Sequence, residues 1–269
     1  MAKKQVIYTK ASLIKKLKKI ASKGWIPNAR HGNHGGVGNT LEDLLGIKEN
    51  NLPIANAAEW ELKTQRVGSN SKAASLCTLF HMEPSPRALG FVPKILLPKY
   101  GWAHQEAGKR YKKGEMSFRQ TIHGARRSDR GFKVVVDRKN KKVLISFNSK
   151  GASVRHKKWL SSVKKRVGLG ELKPQPYWGF DDLKHKAGTK LLNSFYVTAE
   201  VQRKDSKEYY KYSKIMMLKK FSFDKFLKAL EQGKVFVDFD SRTGHNHGTK
   251  FRTTSAQLPM LYEKTTKIL

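Results

Sequence analysis

The strongest constraint on this chain is its positive charge, which is distributed along the whole sequence. Lys and Arg outnumber Asp and Glu 55 to 21, so the formal net charge is +34 at pH 7. A compact chain with this charge repels itself unless an acidic partner offsets it, and a polyanion is the natural partner. Because the basic residues occur throughout, they fit a broad groove or face better than a short localisation signal.

The remaining composition excludes a disordered basic tail. Hydrophobic residues make up 38% of the chain and aromatic residues 10%, which is enough for a packed core. A length of 269 residues allows that core to be substantial. We find no internal repeat and no long low-complexity linker, so we predict a single two-lobed domain over residues 1–269.

Cysteine usage and the N-terminus bear on the compartment. The single cysteine, Cys77, excludes an internal disulfide framework and is typical of a reducing cytosol. No signal peptide pattern and no apolar stretch long enough to span a membrane occur in the sequence, so we expect a cytoplasmic protein with no membrane partner. Residues 12–24 form a basic amphipathic pattern, but their apolar stripe is narrow, which favours a helix packed on the core over a membrane-surface helix.

Residue periodicity predicts both helices and strands. A glycine-rich loop is predicted at 31–39, followed by a short helix that Thr40 caps and Gly46 ends. Further strands and one helix follow from the periodicity of apolar residues: strands at 59–66, 132–136, 143–147, 194–203, 209–217 and 234–240, and a helix at 223–231. The expected class is α/β or α+β, with a mixed β-sheet flanked by helices.

The strand at 59–66 carries an acid and a lysine on one face. Side chains alternate along a strand, so one face comprises Glu59, Glu61, Lys63 and Gln65. Hydrolysis of a phosphodiester requires a divalent cation held by carboxylates and a cation or base near the attacking water. Mg²⁺ prefers oxygen ligands, and Glu61 with Lys63 would supply both requirements. The alternative is an ordinary solvated strand face, since acid-x-lysine occurs often by chance.

The residues around this strand resemble a known nuclease family. Residues 24–66 read GWIPNARHGNHGGVGNTLEDLLGIKENNLPIANAAEWELKTQR. They resemble the opening of the MutH-like branch of the PD-(D/E)XK nucleases, and most closely the MvaI/BcnI-type restriction endonucleases. The resemblance extends more loosely to residues 239–252, FDSRTGHNHGTKFR. It gives no role to residues 100–190.

This resemblance implies a PD-(D/E)XK core of MutH-like type, with two lobes around a DNA cleft, in a monomer from a prokaryotic cytoplasm. It implies that Glu61 and the residue at position 56 bind Mg²⁺, that Lys63 positions or activates the attacking water, and that Glu42 is an accessory carboxylate. The implied partner is double-stranded DNA, together with a cognate DNA methyltransferase that acts on the same site rather than binding the nuclease.

The chain departs from the family pattern at Asn56, where the resemblance calls for an aspartate. Asparagine replaces one carboxylate oxygen with NH₂, which faces a cation unfavourably, so Mg²⁺ affinity should fall while nucleic-acid binding survives. We therefore expect a cleavage-deficient Asp-to-Asn variant at position 56. The alternative is a natural protein whose site has drifted or uses another carboxylate, such as Glu59.

A second set of polar residues is predicted to form a recognition segment near residues 234–254, at the end of the strand at 234–240 and in the loop predicted at 241–252. Its members are Asp240, Arg242, His245, His247, Lys250 and Arg252. Arg binds guanine bidentately and Asp accepts from cytosine N4, so the set predicts a short G·C-containing DNA site. The two histidines are alternatively ordinary loop residues, and a metal role for them lacks a third ligand at useful spacing.

Two further basic segments, residues 124–130 and 153–159, are predicted to contact phosphates without specifying sequence. The glycine-rich loop lacks the ending of a nucleotide-binding P-loop. The sequence therefore predicts a Mg²⁺-dependent type II restriction endonuclease that hydrolyses duplex DNA. The alternative is a non-catalytic basic protein that associates with DNA or RNA, and nicking by the same fold in mismatch repair or homing is a third possibility.

Overall fold

The computed structural model of the protein describes residues 8–28, 36–47, 60–67 and 76–269. The chain divides into two compact units, each assembled from segments that are separate in sequence. Unit 1 comprises Met1–Cys77, Lys186–Phe223 and Thr254–Leu269, and unit 2 comprises Thr78–His185 and Asp224–Thr253.

Helices and strands are numbered in chain order. The helices are α1 (Lys10–Ala21), α2 (Gly36–Leu45), α3 (Leu97–Tyr100), α4 (Lys157–Val167), α5 (Phe180–Leu191) and α6 (Phe223–Glu231). The strands are β1 (Ile26–Pro27), β2 (Glu61–Val67), β3 (Leu76–His81), β4 (Trp102–Ala103), β5 (Met116–Ile122), β6 (Arg130–Asp137), β7 (Lys142–Ala152), β8 (Tyr177–Gly179), β9 (Asn193–Lys204), β10 (Lys207–Phe221), β11 (Val235–Arg242), β12 (His245–Thr254) and β13 (Tyr262–Lys267).

Unit 1 is built on a mixed sheet with the strand order β1-β10-β9-β2, and β13 also pairs with β10. β2 runs parallel to β9, whereas the other pairs are antiparallel. The apolar stripe of α1, formed by Leu13, Leu17 and Ile20, is buried against the same core as Trp60 and Leu62 of the β2 segment. The prediction that this amphipathic helix packs on the core is confirmed.

Helix α2 begins earlier than predicted, because residues 36–39 of the predicted glycine-rich loop are helical. Thr40 is therefore an interior helical residue, 1% exposed, and not the N-cap. Glycine serves here for close packing: a Cβ on Gly36 would overlap the Tyr210 hydroxyl, and one on Gly38 would lie 3.1 Å from Oγ1 of Thr64. The predicted end at Gly46 is confirmed, with a φ of 70°.

Unit 2 contains a sheet of order β3-β12-β11-β5-β4 and a three-stranded sheet of order β6-β7-β8. Aromatic side chains fill its core: the ring of Phe132 on β6 lies 5.6 Å from that of Phe118 on β5 and 5.0 Å from that of Phe147 on β7. Both predicted hairpins, β6–β7 and β9–β10, are confirmed, as is helix α6.

The segment predicted as a recognition loop forms a β-hairpin instead. Strand β11 continues to Arg242, and β12 begins at His245, so residues 243 and 244 alone form the turn. Gly244 has a φ of 70°, which a tight hairpin turn requires. The alternation of buried Thr249, Phe251 and Thr253 with partly exposed residues marks β12 as a half-buried strand.

The predicted α+β class, with mixed sheets flanked by helices, is confirmed. No helix in the described ranges is long and apolar enough to cross a membrane.

Candidate active site and nucleic-acid interface

Strand β2 places Glu61 and Lys63 side by side, as their spacing predicts. Nζ of Lys63 lies 3.1 Å from Oε1 of Glu61, and the two side chains are 14% and 8% exposed. The other carboxylate oxygen, Oε2 of Glu61, is buried and has no hydrogen-bond partner in the described chain. A buried, unpartnered carboxylate oxygen is costly in free energy, and a bound cation would remove that cost.

The opposite face of β2 explains why this pair is held rigidly. Leu62 is buried in the core of unit 1, and the ring of Trp60 lies 4.6 Å from that of Phe195 on β9. The parallel register aligns Glu61 with Ser194 and fixes the height of the pair on the sheet. Because the Glu61 and Lys63 side chains are largely buried, they do not form an ordinary solvated strand face.

Neutral hydroxyl groups, which the sequence analysis missed, surround the pair. Ser194 Oγ and the Tyr262 hydroxyl lie 2.9 Å apart, and Tyr196 donates a hydrogen bond to Oε1 of Gln65. Burial raises the pKa of the Tyr262 hydroxyl, and the nearby charge of Glu61 acts in the same direction. Burial likewise raises the pKa of Tyr196. Both hydroxyls are therefore neutral donors or acceptors at pH 7.

Of the two remaining predicted catalytic residues, Glu42 and Asn56, the structure describes only Glu42. Glu42 is half-buried on α2, the helix that packs against β2 through Gly38. Asn56, predicted as a metal ligand, and Glu59 lie outside the described residues. Within the described ranges, no group of three His, Cys, Asp or Glu side chains is arranged to hold a metal ion.

The six predicted base-reading residues all lie on the β11–β12 hairpin of unit 2. Four are paired with opposite charges: Nζ of Lys250 lies 3.3 Å from Asp240, Arg252 lies 2.9 Å from Asp238, and Arg242 lies 2.9 Å from Glu115. The other two, His245 and His247, are exposed and lie 3.3 Å apart, between Nε2 and Nδ1. The hairpin thus presents a polar surface of paired charges and two exposed histidines.

Several members of this surface were missed by the sequence analysis. Asp238 lies two residues before Asp240 in the strand predicted at 234–240, so the alternation of that strand already places the two acids on one face. Arg119 of β5 lies opposite Asp240 in the register and 3.2 Å from its carboxylate. No local pattern marks Arg119 or Glu115, because both meet the hairpin only through long-range strand pairing.

The two basic segments predicted to contact phosphate are adjacent in unit 2, where β6 pairs with β7. Some of their arginines have structural partners: Arg127 donates to the Gly131 carbonyl at 2.9 Å, and Arg155 forms an ion pair with Asp129. Arg130 lies over the ring of Trp102 at 3.8 Å, and burial lowers its pKa. Lys157 and Lys158 are exposed at the start of α4.

Comparison with solved structures identifies the fold. The restriction endonuclease MvaI in complex with its cognate DNA substrate has a TM-score of 0.73 and 25% sequence identity, covering 96% of this chain and 97% of that chain. MvaI in the absence of DNA has a TM-score of 0.53 and 22% identity, covering 99% and 100%. No curated protein matches the sequence.

The fold is therefore that of a restriction endonuclease, a class of nucleases that act on DNA. A model of the MvaI/BcnI restriction endonuclease family matches residues 14–262. The chain belongs to the MvaI/BcnI restriction endonuclease family, and the resemblance of residues 24–66 and 239–252 to it is confirmed.

Proposed function

We propose that this protein is a type II restriction endonuclease with a Mg²⁺-dependent site at Glu61 and Lys63, and that Asn56 makes this chain deficient in cleavage. Membership of the family supports an enzyme that cleaves duplex DNA at a specific site. The observation that carries the metal-dependent part is the buried, unpartnered Oε2 of Glu61 beside the Lys63 ammonium group.

Strand β2 offers one open carboxylate oxygen, Oε2 of Glu61, as a ligand for a Mg²⁺ ion. When bound, Mg²⁺ would polarise the scissile phosphate and lower the pKa of a water molecule. Oε2 of Glu61 would be a ligand, while Oε1 stays hydrogen-bonded to Lys63. Nζ of Lys63 would then orient the attacking water or a phosphate oxygen, and Glu42 would serve as the accessory carboxylate.

Position 56 would complete the ligand set. An aspartate there would add a second negative charge, whereas Asn56 offers a carbonyl oxygen and a repelling NH₂ group. The expected consequence is weak Mg²⁺ binding with intact DNA binding, because removal of a carboxylate near the scissile phosphate reduces repulsion of the DNA.

The β11–β12 hairpin would read the DNA sequence. Asp240 and Arg242 suit cytosine and guanine, respectively, and His245 and His247 can each donate to guanine. We propose a short G·C-containing site, read by a monomer with a MutH-like core in a prokaryotic cytoplasm. A DNA methyltransferase that modifies the same site would protect the host DNA.

Restoring the carboxylate tests this function. The Asn56→Asp variant should cleave plasmid DNA into discrete fragments when Mg²⁺ is added, whereas the unchanged chain should bind the same DNA without cleaving it. The double variant Asn56→Asp, Lys63→Met is the matched control and should bind DNA without cleaving it. If Asn56→Asp binds DNA but never cleaves it, the protein is a non-catalytic DNA-binding protein.

A further inference from the structure

Arg242 is held by one residue outside the hairpin that carries it and by one residue of the hairpin turn. Its Nη1 donates to Oε1 of Glu115 at 2.9 Å and to the carbonyl of Thr243 at 3.4 Å. The Glu115 side chain is 9% exposed, so this ion pair is shielded from water on the Glu115 side. A charge-assisted hydrogen bond in such a setting fixes the guanidinium more firmly than a surface pair would.

An aromatic ring also packs against the same guanidinium. The Cζ atom of Arg242 lies 4.5 Å from the centroid of the Tyr111 ring, which is cation–π distance. The Tyr111 ring in turn packs edge-on against His104, with centroids 4.8 Å apart. No hydrogen bond to the Tyr111 hydroxyl is found among the described residues, so Tyr111 contacts Arg242 through its ring.

Backbone hydrogen bonds within residues 104–115 stabilise the segment that carries Glu115 and Tyr111. The amide of His104 donates to the Glu115 carbonyl at 2.8 Å, and the amide of Tyr111 donates to the Glu106 carbonyl at 3.1 Å. Since both ends of the segment are tied together, Glu115 and Tyr111 are held in place before any ligand binds.

This arrangement leaves one edge of Arg242 available. Nη1 is occupied, whereas Nε and Nη2 have no hydrogen-bond partner in the described chain, and the side chain is 30% exposed. Guanine presents two adjacent acceptors, O6 and N7, which a guanidinium binds through two neighbouring N–H groups. The Nε–Nη2 edge is the pair of donors that remains.

We propose that Glu115 and Tyr111 are positioning residues for Arg242, and that they determine recognition of a guanine by presenting its Nε–Nη2 edge. This inference depends on the proposed sequence-specific DNA binding. Because Glu115 also neutralises Arg242, the pair adds little to the general attraction of the protein for phosphates. Loss of Glu115 should therefore weaken binding to the specific site while leaving binding to non-specific DNA unchanged or tighter.

The experiment begins with the unchanged chain and a random-sequence duplex library in buffer without Mg²⁺. Sequencing of the bound fraction gives the preferred site. Dissociation constants are then measured for that site and for a duplex in which each G·C pair is replaced in turn. The variants are Glu115→Gln and Tyr111→Leu, and Tyr111→Phe tests whether a ring alone restores the function lost in Tyr111→Leu.

Glu115→Gln should weaken binding to the preferred site about 10-fold or more, the range of one bidentate base contact, and should leave non-specific binding unchanged or tighter. Tyr111→Leu should lose discrimination at the same base pair, and Tyr111→Phe should regain most of it. Glu106→Gln is the matched control, because it removes one exposed acid from the same segment without touching Arg242, and it should keep the discrimination.

Three results would overturn the inference. If Glu115→Gln and Tyr111→Leu both discriminate between bases as well as the unchanged chain does, Arg242 needs no positioning. An equal loss of specific and non-specific binding would show a general structural defect. If the unchanged chain binds duplexes but selects no sequence, the proposed sequence-specific function fails, and the inference fails with it.

Discussion

Lys63 holds one oxygen of the Glu61 carboxylate and leaves the other without a partner: Nζ lies 3.1 Å from Oε1, while Oε2 is buried and makes no hydrogen bond in the described chain. Both side chains project from the same face of β2, whose other face is packed in the core. Strand β2 therefore holds the Glu61 carboxylate in place and leaves its Oε2 atom able to bind a cation.

The difference between the two carboxylate oxygens of Glu61 predicts that this residue is required for Mg²⁺ binding. In the Asn56→Asp background, Mg²⁺ should raise the thermal midpoint, because a ligand at about 100 times its dissociation constant stabilises the folded state by about 2.7 kcal/mol. Adding Glu61→Gln should abolish that increase, since an amide cannot replace the charge of the carboxylate. Thermal unfolding at increasing Mg²⁺ concentrations measures the effect without an activity assay.

A carboxylate elsewhere on the same sheet provides the control for this prediction. Glu200 on β9 is 44% exposed and pairs only loosely with Lys211, at 3.9 Å. Glu200→Gln in the Asn56→Asp background should keep the full Mg²⁺-dependent increase. A Glu61→Gln variant that is stabilised by Mg²⁺ as strongly as its parent would show that Glu61 is not a ligand.

The sequence predicted the local part of the site and missed the long-range part. Period-two alternation is a property of one strand, so the shared face of Glu61 and Lys63 was readable from residues 59–66. Ser194 approaches that face through the pairing of β2 with β9, and Tyr262 through the pairing of β13 with β10, and no local signal specifies which strands pair. The same reason accounts for the missed Arg119 and Glu115.

The two fold errors share a different cause, which is composition. Glycine and polar residues usually mark loops, so residues 31–39 and 241–252 were both predicted as loops. Glycine at 36 and 38 instead allows α2 to approach the sheet, and Gly244 makes a tight turn between two strands. Elements with strong apolar periodicity, such as α1, α6 and the β6–β7 hairpin, were predicted correctly because each signal is local.

The close approach of α2 predicts that Gly36→Ala destabilises the protein. The added Cβ would overlap the Tyr210 hydroxyl, and this hydroxyl cannot move freely because it donates to Oε2 of Glu208 at 2.9 Å. Overpacking of this kind costs about 1–3 kcal/mol. Chemical denaturation of the two proteins measures the difference in the free energy of unfolding.

Gly38→Ala is the control for this prediction. Its Cβ would lie 3.1 Å from Oγ1 of Thr64, a contact that a small shift relieves, and alanine in a helix is favoured over glycine by about 1 kcal/mol. The Gly38→Ala variant should therefore be close to the unchanged chain in stability. Addition of Tyr210→Phe to Gly36→Ala should recover part of the loss, and equal destabilisation by both alanines would contradict the packing argument.

Two histidines of unit 2 predict lower stability in mild acid. Burial lowers the pKa of His123, and the charge of Arg126 adds to this effect, while a hydrogen bond with the backbone of Gly233 opposes it. Burial, followed by the charges of Arg130 and Arg155, also lowers the pKa of His156. As the pH falls below about 6.5, the unfolded chain takes up protons that the folded protein resists.

The free energy of unfolding should therefore decrease between pH 7.5 and 5.5, a window in which the carboxylates remain ionised. Denaturation of the unchanged chain and of His123→Gln at both pH values checks the sign and the origin of the change. The His123→Gln variant should lose less stability than the unchanged chain over this window. An identical pH dependence would remove His123 as a contributor.

The pairing of charges on unit 2 predicts that its cations differ in their contribution to DNA binding. Arg252 is 27% exposed and bonded to Asp238 at 2.9 Å, so its charge is largely neutralised. Lys158 is exposed on α4, and no ion pair to it is found among the described residues. If Lys158 contacts a phosphate, Lys158→Ala should reduce the slope of log K against log salt concentration by about 0.9 and weaken all duplexes alike.

Arg252→Ala should leave that slope nearly unchanged and instead reduce the preference for the selected site over random duplex, because a paired arginine acts through geometry more than through net charge. Dissociation constants for both duplexes at several salt concentrations distinguish the two effects. A lower slope in Arg252→Ala, or a loss of site preference in Lys158→Ala, would show that ion pairing on the hairpin does not separate base recognition from phosphate attraction.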